Sequence, residues 1–302
     1  MSILVATDFS ENSSAAIRTA ARLAKVHGQE LVLLHCLETA VDDTAWRHMM
    51  EMPKNLRGKF WKAAVERMEK NLDELVDPKD RPEDVDFRVE FEYAEEGVLK
   101  VVDEGETDLV VIGATGQGRL ANFLLGSTTE DVVRRSDTPV LVVPAETRVA
   151  PFERIVAPVD FTECSRISLQ NAAEIAREDG AELLVVHAYA LPVTETTFLP
   201  AQMPAETIEA FETQRHKALE EFVGEVDLTG VEWQERLEVS APHNAIVDVV
   251  RETGADLIVM GTHGRRGFER LFLGSTATKV LRRMPCPVMT IRTRDSEPND
   301  EE

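Results

Sequence analysis

Two glycine stretches carry the chemistry of this sequence. Gly113-Ala-Thr-Gly116 and Gly261-Thr-His-Gly264 each begin the same pattern, in which Gly, two residues, Gly, nine residues and Gly-Ser follow in order. The two runs close on Gly126-Ser127 and Gly274-Ser275. A glycine loop entering a helix is a physical recipe for holding phosphate. Without a Cβ in the way, main-chain N–H groups can approach the oxygens, and the first turn of the helix offers unpaired donors and a favourable dipole. The Ser hydroxyl can cap that helix or bond an oxygen itself.

Each loop follows an apolar run introduced by aspartate, Asp108-Leu-Val-Val-Ile-Gly113 and Asp256-Leu-Ile-Val-Met-Gly261. Both read as buried parallel strands. Upstream, Ile3 to Thr7 reads as a first strand ending in Thr7-Asp8-Phe9-Ser10, and Arg154 to Pro158 as its copy ending in Val159-Asp160-Phe161-Thr162. Helical spacing of small apolar residues predicts helices over 13–27 and 165–178, followed by apolar strands at 31–37 and 183–189. Long connections at 38–55 and 190–204 precede amphipathic helices at 60–76 and 205–226. The alternating strands 85–92 and 231–239 suit a sheet edge. Strands alternating with helices of this length predict, in each half, a parallel sheet with helices on both faces and right-handed crossovers. Ligands of such sheets sit beyond the strand carboxyl ends, at the switch point between first and fourth strands. Asp8 and the Gly113 loop, or Asp160 and the Gly261 loop, are expected to converge there.

With the glycine pattern present twice, each copy at the proper distance from a matching strand and turn, the sequence resembles the universal stress protein family. The likeness is to its ATP-binding type, in tandem, over nearly the whole chain. The resemblance implies two Rossmann-like α/β domains of the adenine nucleotide alpha hydrolase type, each a five-stranded parallel sheet. The expected boundaries are 1–147 and 154–294, with a linker at 148–153 and a disordered acidic tail at 295–302. It implies that Asp8 and Asp160 sit beside adenine and ribose, and that Cys36 and Ala188 give main-chain contacts to adenine. Gly113, Gly116, Gly126, Ser127 and Thr128 would surround ribose and phosphates, as would Gly261, Gly264, Gly274, Ser275 and Thr276 in the second copy. The implied ligand is ATP, with ADP or AMP as alternatives, together with Mg2+. A turn or helix-cap role is the other reading for the aspartates, and an empty, degenerate loop for either glycine motif.

The two loops differ in charge. His263, Arg265, Arg266 and Arg270 stand where the first loop has Thr115, Gln117, Gly118 and Asn122. The helix after the first loop opens Ser127-Thr-Thr-Glu130-Asp131, which reads as a capping box with two acids competing with phosphate for the helix end. The second site is therefore expected to bind a polyphosphate more tightly.

Other constellations exclude more than they suggest. Gly113-x4-Gly118-Arg119-Leu120 is close to a Walker A loop, but Arg and Leu replace its Lys and Ser or Thr. His35 and His187 lie in apolar strands and read as core histidines, and His243 as part of a helix start. No zinc-type histidine or cysteine pattern and no nucleophile elbow occurs, and no residue stands out as a catalytic base or metal ligand. The chain thus reads as a nucleotide-dependent regulator or scaffold of the stress response, with a slow ATPase or phosphotransferase, or a nucleotide-free interaction module, as alternatives.

A length of 302 residues suits two domains. The formal charge of -22 argues against nonspecific nucleic-acid binding. It fits a salty cytoplasm, where hydrated carboxylates aid solubility, or simply an acidic mesophilic surface. Three scattered cysteines suggest neither disulfides nor a thiolate metal site. Without a signal-like or membrane-length apolar run, a soluble cytoplasmic protein is expected. An unidentified protein partner would read the nucleotide state. The family pairs through its last strands, so 140–143 and 288–291 are expected to join the halves as an intrachain pseudo-dimer, with further homodimerisation left open.

Overall fold

The computed structural model describes residues 1–37, 54–116, 125–189, 205–262 and 273–293. The chain divides into two compact units, 1–150 and 151–302.

In the first unit, β1 (Ser2–Ala6), β2 (Glu30–Cys36), β3 (Val85–Glu90), β4 (Thr107–Gly113) and β5 (Val140–Val143) run in spatial order β3-β2-β1-β4-β5. Every pairing among them is parallel. The central strands are buried without alternation, because helices cover both faces: Ile3, Leu4, Val5, Leu33, Leu34, Val110 and Val111 are all essentially inaccessible. Among the described residues four helices supply that cover: α1 (Glu11–His27), α2 (Lys54–Leu75), α3 (Ala94–Asp103) and α4 (Ser127–Arg135). α1 packs on β1 and β4 and touches α2, while α3 packs on β2 and β4 and touches α4. Alanines 15, 16, 20, 21 and 24 line the buried face of α1, so its backbone lies close on the strands that carry the loops. The helix starts two residues earlier than its apolar spacing predicts, because Ser10 caps it, its hydroxyl accepting from Ser13 N–H at 3.2 Å. It stops at Gly28, which takes φ 61° and bonds back to Ala24 and Lys25 carbonyls.

The second unit repeats this plan. Strands β6 (Arg154–Pro158), β7 (Glu182–Tyr189), β8 (Trp233–Val239), β9 (Leu257–Gly261) and β10 (Val288–Ile291) lie in the order β8-β7-β6-β9-β10, again all parallel. Its helices are α5 (Glu163–Asp179), α6 (Ala205–Val223), α7 (Pro242–Thr253) and α8 (Ser275–Arg283). Thr162 and Ser165 form a reciprocal capping box at the start of α5. In both units the first strand lies between the second and the fourth. That is the switch point at which an open parallel sheet leaves a crevice. The long connections at 38–53 and 190–204 and the acidic tail fall outside the described residues.

Candidate functional site

The turn after the first strand takes the same backbone form in both units. Phe9 and Phe161 take φ 62° and 65°, the left-handed region that a bulky residue rarely adopts. What holds them there is packing from behind. Phe9 lies 4.6 Å from the His35 ring and beneath the Arg67 guanidinium at 3.9 Å. Phe161 lies 4.3 Å from His187 and meets Phe222 edge-on. Each histidine is fixed in turn, its Nδ1–H donating to the carbonyl of Thr7 (2.7 Å) or Val159 (2.8 Å). A carbonyl can only accept, so the tautomer follows. His187 is a buried, bonded core residue, as its apolar strand implies, whereas His35 is bonded but half-buried and lines the cavity described below.

Reversing the chain at Phe9 aims Asp8 along the sheet end. Asp8 Oδ1 accepts from Ser10 N–H at 3.0 Å, and Asp160 Oδ1 from Thr162 N–H at 3.2 Å and its hydroxyl at 2.6 Å. Both aspartates therefore make the local turn that was the alternative reading for them. In Asp8 this uses one oxygen. The other, Oδ2, faces Gly116, where a β-carbon would lie 2.9 Å away.

Across the crevice stands the glycine loop, its root closed by main-chain bonds repeated in both units. Ala114 N–H donates to Val143 O (3.0 Å) and Gly126 N–H to Ala114 O (2.9 Å); Thr262 and Gly274 do the same with Ile291 O (2.9 Å) and Thr262 O (2.8 Å). Gly113 abuts α1, where a β-carbon would come within 3.0 Å of the Asn12 backbone. Gly261 abuts the Cys164 sulfur in the same way. These glycines let loop and helix approach closely.

Around this crevice the first unit encloses a cavity of about 470 Å3. All seven residues singled out in the first copy line it: Asp8, Cys36, Gly113, Gly116, Gly126, Ser127 and Thr128. Sequence reasoning missed other wall residues, among them Thr7, Ser13, Ala94 and Thr129, and assigned no role to Thr115. Thr129 donates to Gly113 O at 2.8 Å and Asn12 Nδ2 to Thr115 Oγ1 at 2.6 Å, so two side chains pin the loop. In the second unit Asp160 follows β6, Ala188 lies in β7 and Gly261 ends β9. Gly274, Ser275 and Thr276 lead into α8. Gly264 and the basic residues 263–270 fall outside the described residues, as do 117–124.

One expectation is corrected. The N-caps of α4 and α8 are Gly126 and Gly274, without a side-chain cap bond, so Ser127 and Ser275 are the first helical residues and the capping box does not form. An extended glycine (ψ 146° at Gly126) takes the cap position and leaves the serine hydroxyl at the cavity wall. Of the acids after Ser127, Asp131 is tied to Arg134, and Arg135 pairs with Glu96 of α3 at 2.6 Å. That hydrogen bond draws the Glu96 carboxyl below its usual range.

Asp8, Thr115, Ser127 and Thr128 bring side-chain oxygens to the cavity wall. They suit a hard cation that arrives on phosphate oxygens and keeps its waters, not one caged by protein. Among the described residues no group of three metal-binding side chains occurs. No described helix is long and apolar enough to cross a membrane.

Comparison with known proteins agrees with this anatomy. A universal stress protein of Mycolicibacterium smegmatis is 27% identical over 297 residues, covering 97% of each chain. The crystal structure of a universal stress protein from Archaeoglobus fulgidus superposes with a TM-score of 0.68, covering 96% of this chain and 98% of that one at 21% identity. A universal stress protein solved in complex with cAMP matches 48% of this chain at 26% identity, with a TM-score of 0.33. Residues 1–144 and 151–292 each match the universal stress protein family, and the chain belongs to it as a tandem member.

Proposed function

We propose that this chain is a two-site adenine-nucleotide binder, acting in the stress response as a nucleotide-dependent regulator whose loaded state a partner protein reads. The observation that carries this is the first-unit cavity, where Asp8, the glycine loop and the open end of α4 meet on one crevice. Main-chain N–H groups at the start of α4, glycines without side chains and several hydroxyls match the needs of a phosphate, and the apolar side chains of Ala6, Leu34, Leu37 and Ile112 match those of a base. Adenine is carried over from the family, one member of which is solved with cAMP. The ligand is ATP, or ADP or AMP, with Mg2+ held mainly by its phosphates. The second site, whose loop sequence brings three arginines and a histidine, binds the polyphosphate more tightly.

The test is calorimetric titration of ATP with magnesium, in moderate and high salt, on the wild type, Gly116→Val and Gly264→Val. A tight site lost with Gly264→Val and weakened by salt supports the reading, since charge-based binding is screened. Folded protein that ignores ATP in every buffer would reject it.

A further inference from the structure

We propose that the start of α2 docks on the start of α6 of a second copy of this chain. The inference is independent of what the cavity binds.

The two helices hold the same place in the two repeats, each connecting the second strand of its unit to the third. Their buried positions set the register, with Leu72 and Val76 of the first repeat answering Leu219 and Val223 of the second. In that register Lys59 and Lys62 stand where α6 has Glu206 and Glu209. All four residues are exposed. Two equivalent helices thus present outer faces of opposite charge.

The neighbouring residues sharpen the contrast. Residues 54–65 hold four cations and no acid in a chain of formal charge -22, whereas 204–214 hold three acids and no cation. Arg57 is turned onto the Phe91 ring at 4.6 Å, so the outer charge of α2 falls to Lys59 and Lys62. Lys62 also lies 3.7 Å from Glu66 one turn on, with side chains 74% and 63% exposed. A pair so open to water cancels little of the charge.

Apolar surface accompanies the lysines. Leu56 and Phe60 lie one turn apart on α2 and are 38% and 44% exposed. Apolar side chains bordered by charge are the make-up of a protein interface. On α6 the exposed Ala210 follows Glu206 by one turn, which leaves a low place for an aromatic ring beside the carboxylates. The chain therefore carries both halves of one contact. Docking like face on like face would set lysine against lysine or glutamate against glutamate, and the opposed charges select α2 on α6. A contact between unlike faces either closes on itself or extends.

The experiment follows self-association of the full chain by sedimentation velocity over a wide range of concentration. The wild type is expected to associate, either as closed dimers or as longer species. Lys59→Glu with Lys62→Glu in one variant, and Glu206→Lys with Glu209→Lys in another, should each weaken association at least about tenfold. Equimolar mixing of the two variants should restore it to within about threefold of wild type, because each then meets the opposite charge on both faces. The variant with Glu206→Lys and Glu209→Lys is less negatively charged than the wild type, so net repulsion predicts the opposite of its loss. Phe60→Ser should also weaken association, and thermal melting checks that every variant is folded. A wild type that stays monomeric throughout overturns the inference and leaves the α2 face to a different acidic partner. Association that survives both charge reversals, or a mixture that fails to recover, overturns it as well.

Discussion

The sulfur of Cys36 lies where a β-carbon on Gly97 would have to go, so β2 and α3 meet across one thiol and one bare α-carbon. The matching positions of the second repeat are Ala188 and Ala245. One two-atom side chain facing none has become two one-atom side chains, and the packed volume is conserved. Gly97→Ala alone should therefore overpack the contact and cost about 1–3 kcal/mol. Combined with Cys36→Ala it should recover most of that loss. Urea unfolding of the two single variants and the double would give a coupling of about 0.5–3 kcal/mol. Strict additivity would show that the two positions do not share this space.

The same thiol is the one that solvent can reach through the cavity. Cys164 and Cys286 are buried, whereas Cys36 is half-buried and lines the cavity wall. Burial also pushes the Cys286 thiol far above its ordinary range, which withholds the reactive thiolate. A colourimetric thiol reagent should modify one cysteine per native chain, identified as Cys36 by peptide mapping, and a saturating adenine nucleotide should slow it. Rapid labelling of Cys286 before unfolding would contradict the packing described.

The two glycines of the first loop should fail differently. A β-carbon at Gly113 would meet the Asn12 backbone at 3.0 Å, and a helix cannot yield there cheaply. Gly113→Ala is expected to cost about 1–3 kcal/mol of stability. At Gly116 the neighbour is the end of the Asp8 side chain, which can rotate away. Gly116→Ala should leave stability within about 0.5 kcal/mol of wild type. Because it displaces Asp8, it should still weaken nucleotide binding at the first site. Equal melting temperatures for the two variants would refute the distinction.

The fold was legible because it rests on long, doubled signals: apolar strands such as Leu109 to Ile112, small residues at helical spacing in α1, and a glycine pattern that recurs. Convergence of Asp8 on the Gly113 loop was legible too, since topology and motif name the same crevice. The bond from Asn12 to Thr115 was not, because it joins side chains 103 positions apart and neither belongs to the glycine pattern. Only the contrast with Cys164 in the other repeat hints at it. The left-handed turn at Phe9 was hidden because its stabilisation comes from His35 and Arg67, which are distant in sequence. Ser127 was misread as a cap because Ser is ordinarily the better one, and here the preceding Gly126 is already extended.

His243, on the first turn of α7, faces Lys279 and Arg283 of α8. Partial burial and those two cations hold its pKa below the ordinary value of 6.5. The unfolded chain therefore takes up a proton that the folded chain refuses, and stability must fall as pH drops through about 6.5. The loss levels off once pH passes below the depressed folded value, where both states are protonated. His243→Gln removes the titration and keeps a polar side chain of similar reach. Urea midpoints measured between about pH 7.5 and about pH 5.5 should fall more for the wild type than for H243Q. Replacing Lys279 by Met should also shrink the difference, since one of the opposing charges is gone. Identical pH dependence in wild type and H243Q would mean that His243 protonates as readily in the folded chain as in the unfolded one.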